Sequence, residues 1–150
     1  MFEKQRKKLV NRLESKSYIK SSIVKDAFLE VAREKFLPEN IQNKAYFDSP
    51  LEIGSGQTIS APHMVAIMCE ELFLKPGLKI LEIGTGSGYH AAIVSKIVGA
   101  NGLVYSVERH KNLAETARDN LKKAKIDNVK VFEGDGSLGL PNFKPYDRIY

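Results

Sequence analysis

Residues 78–89, LKILEIGTGSGY, constrain the fold more than any other stretch: an apolar run ends in an acid and passes straight into Gly84, Gly86 and Gly88. A short apolar run bounded by turn formers reads as a buried strand, and the glycines read as a tight turn opening a helix. Glycine lets backbone approach a ligand closely, and the free N–H groups at a helix start attract electron-rich groups. The loop is expected to hold a nucleotide-like cofactor, with a ligand-free structural turn as the alternative, because G-x-G-x-G alone is a weak motif. A dinucleotide fingerprint needs its third glycine one residue later, where this chain has Tyr89. That spacing argues against NAD.

From Leu78 the pattern alternates: strand 78–83, helix 88–98, strand 103–108, helix 110–124, strand 129–133 and a last strand from 146. Such alternation signifies βαβ units and a parallel sheet. Upstream, apolar residues at helical spacing predict helices over 2–14 and 22–36, with Ser21 or Ser22 capping the second and Pro38 just past its end. Residues 44–60, KAYFDSPLEIGSGQTIS, are rich in turn formers and lack clean periodicity, which predicts a functional loop. A third helix is expected over Ala61–Phe73, with Ser60 as its N-cap and Pro62 in its first turn.

The expected fold is therefore α/β, a three-layer, doubly wound, mainly parallel sheet in a single domain, residues 1–150. Within it, 1–45 supply N-terminal helices, 46–77 a covering segment and helix, and 78–150 the first βαβαβ half of the sheet. Because PYDRIY at 145–150 is still apolar where the chain stops, the sheet is expected to lack its C-terminal strands.

Composition removes other classes. With 43% hydrophobic and 27% charged residues, the chain is neither disordered nor built to span a membrane, since no apolar run nears the ~20 residues required. The N-terminal MFEKQRKKLV lacks the apolar middle of a secretory signal, so a cytoplasmic location without a membrane partner is expected. The net charge of +5 sits in residues 1–20, where seven Lys/Arg face only Glu3 and Glu14. It reads as a solvated basic helix, and without an RNA-binding or zinc-finger motif no nucleic-acid partner is expected. A single cysteine, Cys69, excludes an internal disulfide and in its apolar helical setting reads as a small buried hydrophobe. His63, His90 and His110 have no ligand-spaced partners, so no metal is expected.

In open parallel sheets ligands bind beyond the carboxyl ends of the strands. Three acids stand there: Glu82, Glu108 and, within EGDGS, Asp135. Glu108, twenty residues after Gly88, is placed to accept ribose hydroxyls, and Asp135 to meet an adenine amine. Each taken singly also reads as a helix cap or a solvated charge.

GQTISAPHM at 56–64, LEIGTGSGY at 81–89, VER at 107–109, GDG at 134–136 and PYD at 145–147 together resemble the protein-L-isoaspartate O-methyltransferase family. The glycine loop and acids are shared by many S-adenosylmethionine-dependent methyltransferases; DSPLEIGSGQTISAPHM, at 48–64, is the specific element. The resemblance implies methyl transfer from S-adenosyl-L-methionine to the free carboxylate of L-isoaspartyl or D-aspartyl residues in damaged proteins, with peptides and proteins as partners. It implies a strand order of 3-2-1-4, drawn from a seven-strand pattern, and a monomer is expected. It assigns Ser60 to the active site and Thr58, Ile59 and His63 to a segment over the cofactor. Gly84, Gly86 and Gly88 fall beside the methionine moiety, Glu108 on the ribose, and Asp135 with Gly136 on the adenine side, with Glu82, Thr85 and Ser87 also expected to bind the cofactor. Two alternatives stay open: a truncated, non-catalytic S-adenosylmethionine-binding module, and an NAD-dependent oxidoreductase.

The chemistry so implied needs no general base. A carboxylate with a pKa near 4 is already ionised at neutral pH, and a sulfonium is already an activated leaving group. The sequence accordingly shows no Ser–His–Asp or Cys–His arrangement.

Overall fold

Four short strands build the sheet in the computed structural model, which describes all residues 1–150. They are β3 (Lys79–Ile83), β4 (Leu103–Glu108), β5 (Val129–Glu133) and β6 (Arg148–Ile149), all parallel, in the order β5-β4-β3-β6. This is the expected 3-2-1-4 order. β4 is buried along nearly its whole length, whereas β5 and β6 form the edges, as continuous and mixed apolar patterns dictate for central and outer parallel strands. In-register pairing sets Glu82 of β3 opposite Ser106 of β4.

The parallel connections run through α4 (Tyr89–Val98) and α5 (Lys111–Lys123). Gly88, at φ +88°, is the N-cap of α4, and a Cβ there would lie 3.4 Å from both Ala117 Cβ and Leu121 Cγ of α5. The glycine therefore provides both the positive φ and the close helix contact. Ile80 and Val104 face α4 and join one apolar core with α1 (Phe2–Ser15), α2 (Ser22–Glu30) and α3 (Pro62–Glu71). On the opposite face Leu81, Tyr105 and Val107 are covered by Phe132, Leu140, Phe143 and Tyr146, so the 136–146 segment and its aromatic rings form that layer.

Ser21 caps α2, its side chain accepting from Val24 N–H. The helix ends at Glu30, short of the expected 36, because Val31 and Ala32 are extended and Arg33–Phe36 close a 3-10 turn. That reversal brings Phe36 into the core 5.7 Å from the Tyr89 ring. Residues 44–60 hold a hairpin the periodicity does not reveal: β1 (Leu51–Gly54) pairs antiparallel with β2 (Gln57–Ile59) through a bulge, burying Ile53 and Ile59. Helix α3 begins at Pro62 with Ala61 as N-cap, so Ser60 is not the cap expected of it. Asp48 takes that part instead, its Oδ1 accepting from His63 N–H at 2.9 Å. No helix is long and apolar enough to cross a membrane.

Candidate active site

A cleft of about 220 Å³ opens at the carboxyl end of β3, between the glycine loop and the β2–α3 junction. Thr58, Ile59 and Ser60 line one side; Glu82, Ile83, Gly84, Thr85, Gly86 and Ser87 line the other. Two segments twenty or more residues apart in sequence thus share one cavity. Typical ligand pockets measure ~300–1000 Å³. At about 220 Å³ the cleft is smaller than such a pocket.

Glu82 is the buried acid of the cleft, 2% exposed. Its Oε1 accepts from Tyr150 Oη at 3.1 Å, and its Oε2 accepts from the Ser106 hydroxyl, which also contacts Thr85 Oγ1. Burial pushes the carboxyl up to about 8, reinforced by the charge of Glu108 and opposed by the Ser106 and Tyr150 hydrogen bonds. A cationic group reaching Glu82 would restore its ionised form.

Glu108, also buried, works through the loop: Oε2 accepts from Gly86 N–H and Oε1 from His110 N–H, both at 2.9 Å. Pinned this way, Gly86 adopts φ +54°, and a Cβ there would stand 3.3 Å from Ile53 Cδ1 of the hairpin. The glycine lets the loop pass under β1 and leaves its backbone bare to the cleft. Carboxylate oxygens offer about four acceptor sites, so Glu108 keeps capacity for further donors.

Other sequence-derived candidates fall in different places. Ser60 lines the cleft, and its carbonyl accepts from Arg33 Nη2 at 3.0 Å. His63 does not line it; its Nδ1 lies 2.9 Å from Asp48 Oδ1, and its ring packs 5.5 Å from that of Tyr18. Gly88 lies behind the cleft as a helix-packing residue. Asp135 is exposed and its Oδ1 accepts from Ser137 N–H at 2.9 Å, which holds its carboxyl below the ordinary range. Gly136 packs under Ile83.

Six lining residues, Val65, Met68, Ile83, Tyr89, His90 and Tyr150, are not among the sequence-derived candidates. His90, in the first turn of α4, has its ring 4.4 Å from that of Tyr150 and its Nε2 3.5 Å from the buried Cys69 Sγ. Burial drops His90 to about 3, so it is neutral at physiological pH, and burial raises the Cys69 thiol. Its place two residues after Gly88 was the available signal. Tyr150 was visible only as the end of an apolar run.

An acid-lined cleft over a glycine crest, on a parallel sheet of order β5-β4-β3-β6, defines the Rossmann-like methyltransferase class. Within that class, the chain belongs to the protein-L-isoaspartate(D-aspartate) O-methyltransferase family, which it matches over residues 4–150. It is 55% identical over 150 residues to a protein-L-isoaspartate O-methyltransferase of Methanopyrus kandleri, covering 99% of this chain and 66% of that one. A Methanococcus aeolicus protein of the same name is 53% identical, with 98% and 68% covered. A solved protein-L-isoaspartate O-methyltransferase superposes with TM-score 0.89 at 39% identity, covering 97% of this chain and 47% of that one. A Plasmodium falciparum structure, described as a putative member in complex with S-adenosyl-L-homocysteine, gives TM-score 0.76 at 33% identity, with 86% and 62% covered. The chain thus spans about two thirds of the length of these curated relatives.

Proposed function

We propose that the chain binds S-adenosyl-L-methionine in this cleft and methylates the free carboxylate of L-isoaspartyl or D-aspartyl residues in damaged proteins. One observation carries the reading: Thr58, Ile59 and Ser60 of the family-specific segment share a single cavity with Glu82 and the glycine loop. The residues also fit the cofactor. Two buried acids, Glu82 and Glu108, favour a cationic ligand and oppose the pyrophosphate of a dinucleotide.

Bound there, the cofactor would supply an activated methyl group on a sulfonium. Glu82 would hold its ammonium group, the bare backbone at Gly84 to Gly86 would admit its methionine end, and the free lone pairs of Glu108 would take the ribose. Asp135 and Gly136 would flank the adenine. Thr58 and Ile59 would close over the methionine end and exclude water. The Ser60 hydroxyl, which caps no helix, would donate to the acceptor carboxylate and align one oxygen with the methyl carbon. Near-attack alignment of this kind supplies roughly 7–11 kcal/mol in favourable cases.

Methyl transfer to matched isoaspartyl and aspartyl peptides tests the reading. Transfer to the isoaspartyl peptide alone supports it; cofactor binding with transfer to neither peptide would make the chain a binding module. Tight NAD binding in a calorimetric titration would contradict the cofactor assignment.

A further inference from the structure

Arg33 has no part in the chemistry above and does not line the cleft, yet its side chain is fully buried, with 0% of the residue exposed. None of the five ion pairs includes it, so a guanidinium is enclosed without a carboxylate. Its one hydrogen bond within the protein runs from Nη2 to the Ser60 carbonyl at 3.0 Å; Nε and Nη1 have no acceptor in the protein. Its Cζ lies 4.8 Å from the centroid of the Tyr89 ring.

Burying an unpaired cation costs stability, and replacing buried ions by apolar side chains of similar volume is often neutral or stabilising. Stability therefore does not account for Arg33. Both groups it touches, Ser60 and Tyr89, line the cleft. Arg33 draws the Ser60 carbonyl inward, and in a trans peptide the N–H of the next residue, Ala61, points the opposite way. No acceptor in the protein takes that N–H. A guanidinium on the carbonyl polarises the peptide and strengthens whatever its N–H donates to.

We propose that Arg33 is a positioning residue for the acceptor side of the site: it clamps the Ser60–Ala61 peptide so that the Ser60 hydroxyl and the Ala61 N–H together present two donors to a carboxylate. The clamp rests on the methyl-transfer reading and extends it to a residue outside the cleft. It also explains the break after α2, since a continued helix would not form the 3-10 turn that carries Arg33 beneath Ser60.

Arg33→Met and Arg33→Lys in the full chain test this. Arg33→Met should unfold at the temperature of the unaltered chain or above it. It should bind S-adenosylhomocysteine within about threefold, yet lose about tenfold or more in turnover of an isoaspartyl peptide. Backbone amide order parameters at Ser60 and Ala61 should fall from the rigid value of about 0.85 toward about 0.6 in Arg33→Met with the rest of the chain unchanged, and Arg33→Lys should recover part of both effects. Turnover within twofold of the unaltered chain, or a loss of turnover that merely parallels lost thermal stability and lost cofactor binding, overturns the proposal. If the unaltered chain transfers no methyl group, the transfer reading has failed and the order parameters at Ser60 and Ala61 decide the clamp alone. A fall confined to that peptide supports it, and unchanged order parameters overturn it.

Discussion

Asp48 and His63 meet at the first turn of α3, where a single carboxylate oxygen, Asp48 Oδ1, receives both the backbone N–H and the ring Nδ1 of His63 at 2.9 Å. The cap of the helix is thus supplied from fifteen residues upstream, which releases Ser60 for the cleft.

Asp48→Ala should therefore cost about 1–2 kcal/mol in chemical denaturation, the usual worth of a lost N-cap. Ser60→Ala should change stability by less than about 0.5 kcal/mol while lowering isoaspartyl turnover far more than cofactor affinity. A Ser60→Ala loss as large as that of Asp48→Ala would return the serine to a capping role. Partial burial raises the Asp48 carboxyl, but the His63 hydrogen bonds outweigh this and hold it below its ordinary 3.8. Its stabilising contribution is hence present above the unfolded-state value and lost as pH falls through the lower folded one.

Glu82 titrates with the opposite sign. Its folded-state value of about 8 stands above the unfolded 4.5, so the unfolded chain releases the proton first as pH rises. Stability attributable to Glu82 is intact below 4.5 and declines through about 8, with a limiting slope near 1.4 kcal/mol per pH unit. Glu82→Gln should flatten that segment of the stability profile. A cationic ligand bound beside Glu82 should expel its proton, so calorimetry at pH 7 in buffers of different ionisation enthalpy should register proton release that Glu82→Gln abolishes. Identical binding heats in all buffers would count against contact between Glu82 and a cation.

The two glycines should separate by phenotype. Gly88→Val forces a branched side chain to adopt φ +88° and to push against Ala117 and Leu121, 3.4 Å from the position of its Cβ. It should cost more than about 2 kcal/mol of stability. Gly86→Ala meets only the flexible tip of Ile53 and carries mainly the ~1–2 kcal/mol penalty of positive φ, so its larger effect should appear in cofactor affinity. Equal losses of stability in the two variants would show that the loop is a packing device throughout.

The sheet was legible because its signals are local. Strands 103–108 and 129–133 coincide with β4 and β5: LVYSVE is mostly apolar, as a buried central strand is, and VKVFE alternates, as a half-exposed edge strand does, both between turn formers. The β1–β2 hairpin was not legible: its strands are four and three residues long, and burial of Ile53 and Ile59, not propensity, holds them. Glu82 stood out as an acid closing an apolar run. Its link to Ser106, however, depends on the β3–β4 register, and its link to Tyr150 on β6 pairing beside β3. The Asp48 cap and the Arg33 clamp span fifteen and twenty-seven residues, distances at which sequence carries no turn or period to read. His63 was assigned to the cofactor side with its helix, but its ring turns to Asp48 and Tyr18.

The most direct test of the function is methyl transfer from labelled S-adenosyl-L-methionine to a peptide pair differing only in isoaspartyl against aspartyl linkage at one position. Base-labile label on the isoaspartyl peptide alone, reduced strongly by Ser60→Ala, is the predicted result. Label on both peptides alike, or on neither while S-adenosylhomocysteine binds the cleft, would contradict it.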